Sequence, residues 1–312
     1  MGSRKCTVEN MGERMKKIFI TGGTGFIGTA VCEELIRRGY ELHASVYPSG
    51  NGVFGIISHP LDLTNEQAVD LFLKKHHFES MIHLAWYTGV KCHSSDVNLD
   101  WTMTSLKLIQ RFVKYGGKTF LGAGSVSEYD FSDGYLQEYK TPLTSPSLYG
   151  ECKAAVYNMA RIFLNSHDVD FKWARIFNLY GPNEKTTRLM PSVIRSALKN
   201  EDIRVSDCKK FQDYLYVSDT ARGIVDLFES SVSGAVNICS GTPVRLRTIV
   251  EKIAELTHFK GKILWGALPC GFEDPIVVGS NQRLTNEVGW EQRVDLEEGL
   301  LKTIKWWREH DV

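Results

Sequence analysis

Neither sign of charge prevails in this chain. Lys plus Arg and Asp plus Glu both number 37, so the formal net charge is zero over 312 residues. Without a long basic run, the chain lacks the electrostatic footprint of a nucleic-acid or anionic-membrane binder, and any charged ligand must be met by local groups. Cysteine pairs at metal or redox spacing are also missing. The seven cysteines (Cys6, Cys32, Cys92, Cys152, Cys208, Cys239 and Cys270) show no CxxC. That argues against a zinc site or a disulfide framework and fits reduced thiols in a cytoplasmic protein. There is no HExxH and no cluster of acidic ligands, so no metal is expected. No apolar run approaches the ~20 residues of a membrane span, and the N-terminus lacks the apolar core of a signal peptide. Repeats and low-complexity linkers are likewise absent. Residues 1–15 are polar and aperiodic and read as a disordered leader, with Met11 or Met15 as alternative starts.

What is present is a chain 43% hydrophobic, enough for a large core. KIFIT (Lys17 to Thr21) is a short β-rich run that breaks into glycines. Phe26, Ile27, Val31, Leu35 and Ile36 are then spaced for a helix over Gly25 to Arg38. The alternation continues with strand Glu41 to Val46, a third strand before Asp62, and a helix near Glu66 to Lys75. Strand Ser80 to Ala85, a helix near Leu99 to Val113 and strand Thr119 to Gly122 follow. Further on the pattern predicts strands at Phe171 to Phe177, Tyr214 to Val217 and Ala235 to Ile238. Helices are expected near Pro191 to Lys199, at Ser218 to Glu229, at Leu246 to Leu256 and at Leu296 to Arg308. Strands separated by helices imply right-handed parallel crossovers. The expected fold is therefore α/β, a doubly wound parallel Rossmann sheet, and a second lobe would have to be assembled from segments after Asn178.

TGGTGFIG places Gly22, Gly25 and Gly28 between the first strand and the first helix. There the first glycine allows a tight turn, the second a close approach of backbone N–H groups to a pyrophosphate, and the third helix–strand packing. In this context the motif points to a dinucleotide. The end of the second strand reads Ser45-Val46-Tyr47-Pro48-Ser49, with neither a carboxylate for a free ribose 2′-hydroxyl nor a basic group for a 2′-phosphate. The missing carboxylate tips the expectation from NAD toward NADP. Asp62 suits either an adenine contact or a turn cap.

Tyr149 and Lys153 in SPSLYGECK lie four apart, on one face of a helix. A phenol with pKa near ~10 becomes a usable proton donor and acceptor when a cation lies nearby. Ser145 and Pro146 read as the N-cap and first turn, and Gly150 and Cys152 as room for a flat cofactor. Ser125 ends the strand FLGAGS, at the edge where such sheets bind ligands, and there it either hydrogen-bonds a substrate carbonyl or serves as a turn residue. His83 reads as structural, His76 and His77 as exposed.

With TGGTGFIG, HLAW (His83 to Trp86), the Ser125 strand end, YGECK, RIFNLYGP (Arg175 to Pro182) and DYLYVSD (Asp213 to Asp219), the chain resembles the extended short-chain dehydrogenases/reductases of the NAD-dependent epimerase/dehydratase family. The likeness runs from about Lys16 to the C-terminus. It implies a catalytic triad of Ser125, Tyr149 and Lys153, a nucleotide-sugar substrate, a homodimer, and a smaller C-terminal substrate lobe (179–211 plus 241–312) over the active site of the Rossmann domain (16–178 plus 212–240). It also implies cofactor contacts from Gly22, Gly25, Phe26, Ile27, Gly28, Asp62, Leu63, Leu84, Ala85, Tyr149 and Lys153. Trp86, Ser125, Asn178 and Arg188 fall on the substrate side, Trp86 as a sugar platform or as core.

Sugar 4,6-dehydratases of the family carry Asp-Glu directly after the catalytic Ser or Thr, where this chain has Val126 and Ser127. Dehydration is therefore not expected. HLAW and AGSVSEYD look most like reductases of nucleotide-linked 4-keto-6-deoxy sugars, with a 4-epimerase as the alternative and a non-catalytic dinucleotide sensor as the alternative of another class. Two arginines that commonly clamp the substrate pyrophosphate are replaced by Gln212 and, around Gly271, by Cys270 and Phe272. Lys209, Lys210, Arg188 and Arg195 are the candidate substitutes, each also readable as a solvated surface charge.

Overall fold

The structure, a computed structural model, describes residues 16–46, 55–89, 91–270 and 276–310. Tyr47 to Ser49, Gly271, Phe272 and the leader, all invoked above, lie outside these residues. In chain order the elements are β1 (Lys17–Thr21), α1 (Phe26–Arg37), β2 (Glu41–Val46), β3 (Ile56–Pro60), α2 (Glu66–His76), β4 (Ser80–His83), α3 (Val97–Lys114), β5 (Thr119–Ser125), β6 (Tyr135–Leu136), α4 (Leu148–Asn165) and β7 (Asp170–Ile176). There follow β8 (Asn178–Tyr180), α5 (Leu189–Leu198), β9 (Ile203–Arg204), β10 (Phe211–Tyr216), α6 (Val217–Glu229), β11 (Gly234–Ile238), β12 (Pro243–Arg245), α7 (Leu246–Leu256), β13 (Ile263–Leu264), β14 (Ile276–Gly279) and α8 (Leu296–His310).

Seven strands form the main sheet in the order β11-β7-β5-β4-β1-β2-β3, and every pairing in it is parallel. The chain winds outward from β1 to β3, returns to β4 and winds the other way. The order thus reverses between β1 and β4, where ligands of doubly wound sheets bind beyond the carboxyl ends. Side-chain alternation explains the two layers. In β1, Ile18 and Ile20 join Val31 and Leu35 of α1 and Ile224 and Leu227 of α6 on one face. Phe19 points the other way, to Val69 of α2, Phe112 of α3 and Val156 of α4. Strands covered on both faces read as continuous apolar runs, which is why KIFI contains no polar break. Each such side chain, fully buried, contributes roughly 1.5–3 kcal/mol. Arg38 also ties α1 to α6 through a 2.7 Å ion pair with Asp226.

A third apolar cluster lies apart from the sheet. Ile194 of α5, Ile249 and Ile253 of α7, and Leu300, Ile304 and Trp307 of α8 pack together over Tyr180 and Tyr216. The short strands β8, β10, β12, β14 and β6 join this part to the sheet's carboxyl edge, β10 pairing with β8, β12 and β14.

Several local expectations change. The N-cap of α4 is Ser147, whose Oγ accepts from Gly150 N–H at 3.1 Å, not Ser145, and the helix starts at Leu148. β5 extends past Gly122 to Ser125, and β4 ends at His83. His76 is half-buried rather than exposed, with its ring packed on His59, Phe72 and Phe78. His77 is exposed as expected, in a left-handed cap conformation at φ 49°.

Candidate active site

The glycine turn sits at the reversal point. Gly22 adopts φ +72°, and a Cβ there would lie 2.7 Å from the Ala85 nitrogen, so only glycine lets the turn pass under the end of β4. A Cβ on Gly28 would lie 2.0 Å from the Gly22 carbonyl oxygen, so a bare helix is needed for α1 to pack on the turn. Gly25 is the N-cap of α1 and supplies no side-chain cap. The first N–H groups of α1 therefore face outward beside Phe26 and Ile27, a donor set that fits a dinucleotide pyrophosphate. Leu84 and Ala85 are held against this turn, Leu84 N–H donating to Thr21 O at 3.0 Å and Ala85 N–H to Thr21 Oγ1 at 3.3 Å. Thr21 Oγ1 in turn meets His83 Nδ1 at 2.7 Å, and His83 Nε2 meets Ser105 Oγ at 2.9 Å. Burial pushes His83 down to about 3, so it is neutral at physiological pH and acts as a strut between β1, β4 and α3.

Asp62 accepts from Thr64 N–H at 2.9 Å and from Thr64 Oγ1 at 2.7 Å, a turn closure. Its neighbour Leu63 lines a cavity of about 390 Å³ between α2 and α3, together with Glu66, Asp100, Met103, Lys107 and Arg111. This cavity is away from the glycine turn, and Lys107 and Arg111 are already paired with Glu66 within it.

Ser125, Tyr149 and Lys153, far apart in the chain, come together at the same edge. The end of β5 delivers Ser125, and the first turns of α4 deliver the other two. Tyr149 is half-buried, with Ser125 beside its hydroxyl. Burial pushes the Tyr149 phenol up to about 12, with the Ser125 hydrogen bond pulling the other way. Lys153 is buried; its Nζ donates to Ala123 O at 2.8 Å and lies 3.9 Å from the centre of the Trp86 ring. Burial brings its ammonium down to about 7, opposed by the carboxylate of Glu128. The lysine ammonium therefore sits over the Trp86 ring, which borders Tyr149.

Gly150 has a different role from the one expected. A Cβ there would lie 1.9 Å from the Ser127 carbonyl oxygen, so its bareness admits the turn after Ser125 rather than a cofactor. Cys152 is buried in the same helix.

Trp86 borders the cluster. Its Nε1 donates to Asn98 Oδ1 at 2.9 Å, and its ring stands edge-on to Tyr149 at 6.3 Å. Buried Asn98 donates to the carbonyls of Cys92 and Ser95, each at 2.7 Å, which fixes the segment carrying His93. His93 was absent from the expected site. Its ring lies 5.4 Å from that of Tyr149, its carbonyl accepts from Tyr149 N–H at 3.2 Å, and burial lowers its pKa, followed by the charge of Arg188.

Arg188 is exposed at the N-cap of α5, yet its charge acts on Tyr149, His93, Tyr214 and Glu184. It therefore faces the cluster. Glu184, also unforeseen, has a buried Oε2 with no hydrogen-bond partner, and burial lifts its carboxyl to about 8 against the pull of Arg188. Nearby, Lys185 Nζ donates to the carbonyl and hydroxyl of Thr88, joining the α5 approach to the segment after β4. Asn178 is half-buried where β8 pairs with Tyr214 of β10. Buried Asp213 is structural: it accepts from Ser240 N–H at 2.8 Å, Ser240 Oγ at 2.6 Å and Gly241 N–H at 2.9 Å. Lys209 pairs with Asp207 on the surface.

The sequence model of the NAD dependent epimerase/dehydratase family matches residues 18–239. A CDP-abequose synthase of Salmonella muenchen is 23% identical over 296 residues, covering 93% of this chain and 97% of the relative. A dTDP-6-deoxy-L-talose 4-dehydrogenase (NAD(+)) of Aggregatibacter actinomycetemcomitans is 26% identical, covering 84% and 98%. The UDP-glucose 4-epimerase of Bacillus subtilis is 27% identical, covering 93% and 96%. Among solved structures, the Thermotoga maritima UDP-glucose 4-epimerase with UDP-glucose superposes with a TM-score of 0.86 at 22% identity, covering 94% of this chain and 99% of that one. The Thermus thermophilus UDP-glucose 4-epimerase complex with NAD gives 0.84 at 23%, covering 95% and 100%. These two likenesses agree with the doubly wound sheet described above.

Proposed function

Since the chain belongs to the NAD-dependent epimerase/dehydratase family, we propose that it is an NAD(P)H-dependent reductase of a nucleotide-linked 4-keto-6-deoxy sugar. The observation that carries this reading is the meeting of Ser125 and Tyr149 at the sheet's carboxyl edge, with Lys153 buried in the same helix and the glycine turn alongside. A nicotinamide held there supplies the hydride. Tyr149, protonated at neutral pH because burial raises its pKa, gives its proton to the substrate's carbonyl oxygen. Ser125 donates a hydrogen bond to that oxygen, and Lys153, close to half-protonated near pH 7, restores the charge balance. Dehydration lacks its acid and base, since Val126 and Ser127 do not titrate and the oxygens of Glu128 are occupied by Ser125, Trp173 and Arg175.

Arg188 stands in for the missing pyrophosphate clamp, and Glu184, Asn178 and Trp86 line the sugar side. NADP is preferred over NAD for want of a carboxylate at the end of β2. Residues 179–211 and 241–312 form the substrate lobe. Leu99, Met103, Met159 and Ile162, exposed on α3 and α4, are the surface of a homodimer. Among the described residues no helix is long and apolar enough to cross a membrane, and we place the enzyme in the cytoplasm.

The test mixes purified protein with NADPH, or NADH, and nucleotide-linked 4-keto-6-deoxy sugars, following reduced-cofactor absorbance and identifying the product. Stoichiometric oxidation supports the reductase. Retained NAD and interconversion of an ordinary nucleotide sugar would support the 4-epimerase, which the likeness to the Bacillus enzyme favours. Dinucleotide binding without turnover of any sugar would support the non-catalytic sensor.

A further inference from the structure

Behind Ser125 lies a buried polar cluster that the reading above does not use. Ser125 leaves β5 with an extended backbone and caps a 3₁₀ turn, Val126–Glu128. Its Oγ accepts from Ser127 N–H at 3.1 Å, while Glu128 Oε1 accepts from Ser125 N–H at 2.8 Å, so the two side chains close a reciprocal capping box. Glu128 is 0% exposed. Its oxygens also accept from Trp173 Nε1 at 3.0 Å and Arg175 Nε at 2.7 Å, both on β7. A Cβ on Gly124 would lie 2.3 Å from Trp173 Nε1 and 2.5 Å from Glu128 Oε1, so the strand is bare where this cluster presses on it.

The geometry points to Glu128 as a positioning residue: gripped by Arg175 and Trp173, it fixes the backbone that presents the Ser125 hydroxyl at the site. This rests on the proposed roles of Ser125 and Tyr149. A serine hydroxyl has one proton and two lone pairs. With one lone pair taken by Ser127 N–H, the rotor is restricted, and the proton and second lone pair are left for Tyr149 and the substrate. Arg175 neutralises the buried carboxylate and is itself held by Tyr129 Oη and the Glu138 carbonyl, each at 3.2 Å. Glu128 touches no substrate, because every face of its carboxylate is covered.

Removing Glu128 alone would strand the Arg175 charge and confuse positioning with folding. The test therefore compares two variants that share one substitution. Glu128→Met with Arg175→Met removes both the box and the buried pair. Glu128→Gln with Arg175→Met removes the charge but keeps an acceptor that can close the same box. With CDP- and dTDP-linked 4-keto-6-deoxyhexoses and NADPH as probes, the Met/Met variant should lose about 10²-fold in kcat, the scale of an ångström's misplacement, with KM and NADPH affinity little changed. The Gln/Met variant should recover most of that loss. Equal kcat in the two variants, or parental kcat in the Met/Met variant, overturns the inference. Crystal structures give a readout that needs no turnover: a Ser125 hydroxyl in its parental position in the Met/Met variant overturns it, and one turned away supports it. Ser125→Ala runs alongside. Parental turnover there would sink the reading of the site itself, an outcome distinct from failure of the Glu128 role.

Discussion

The proposed cofactor side and the proposed substrate side of this site are built by different means. On the cofactor side one contiguous octapeptide, TGGTGFIG, shapes the turn, and its demands are made by backbone: Gly22 against Ala85, Gly28 against Gly22. On the substrate side Trp86, His93, Glu184 and Arg188 converge from separate segments through side chains, and one buried carboxylate oxygen has no partner. Backbone constraints tolerate few residues and so leave a motif. Side-chain convergence tolerates many solutions, so substrate choice can change while the dinucleotide turn stays put.

The sharpest way to separate the two sides is Tyr149→Phe. Turnover should fall by roughly 10²–10⁴-fold, the range of general acid–base catalysis, while NADPH affinity, measured by fluorescence titration, stays within about 2-fold. Equal loss of both would make Tyr149 structural. Gly28→Ala attacks the other side. With a Cβ 2.0 Å from backbone oxygen, it should abolish dinucleotide binding and lower Tm. Gly25→Ala, with its nearest atom at 3.3 Å, should do much less, and matching effects would break the backbone account.

Lys153→Met tests burial. Below about pH 7 Lys153 is protonated in the folded and unfolded chains alike, and burial penalises the folded one. Between about 7 and the ~10.4 of an exposed lysine only the unfolded chain holds the proton, so stability rises with pH across that window. Lys153→Met should flatten this rise in thermal melts from pH 7 to 9.5; an unchanged slope would mean that the buried lysine is not its source. Arg188→Ala should raise substrate KM about 10-fold, worth about 1.4 kcal/mol, with kcat nearly constant. A kcat effect alone would move Arg188 from binding to chemistry. The smallest effect is expected from Asp62→Ala, which removes two turn hydrogen bonds and should lower stability by about 1 kcal/mol in urea melts.

Much of the sheet was legible because its strands are buried on both faces and read as apolar runs between helices. β6, β9 and β13 are two residues long and β8 and β12 three, too short to carry a period. The start of α4 was misplaced because SPS offers two serines, and only the packing shows that Ser147 meets Gly150 N–H while Ser145 serves Ser147. Ser125, Tyr149 and Lys153 could be nominated from strand end and helix spacing. Glu128 was also within reach: Ser125-Val126-Ser127-Glu128 spells a capping box, but it lies over a 3₁₀ turn rather than before an apolar helix. Glu184 and His93 had no local signal, since what distinguishes them is burial beside Arg188.

The cluster behind Ser125 extends to the margin of the sheet. Tyr129 Oη, held by Arg175, donates to Asn237 Oδ1 at 2.7 Å, and Asn237 lies in β11, the outermost strand on that side. In the main sheet β11 pairs with one strand only, β7, so its ladder is anchored on one side. Fraying of β11 would therefore loosen Tyr129, then Arg175 and Glu128, and so unseat Ser125 while most of the sheet remains folded. On warming, activity should fade before the fold melts, in step with hydrogen exchange at residues 234–238.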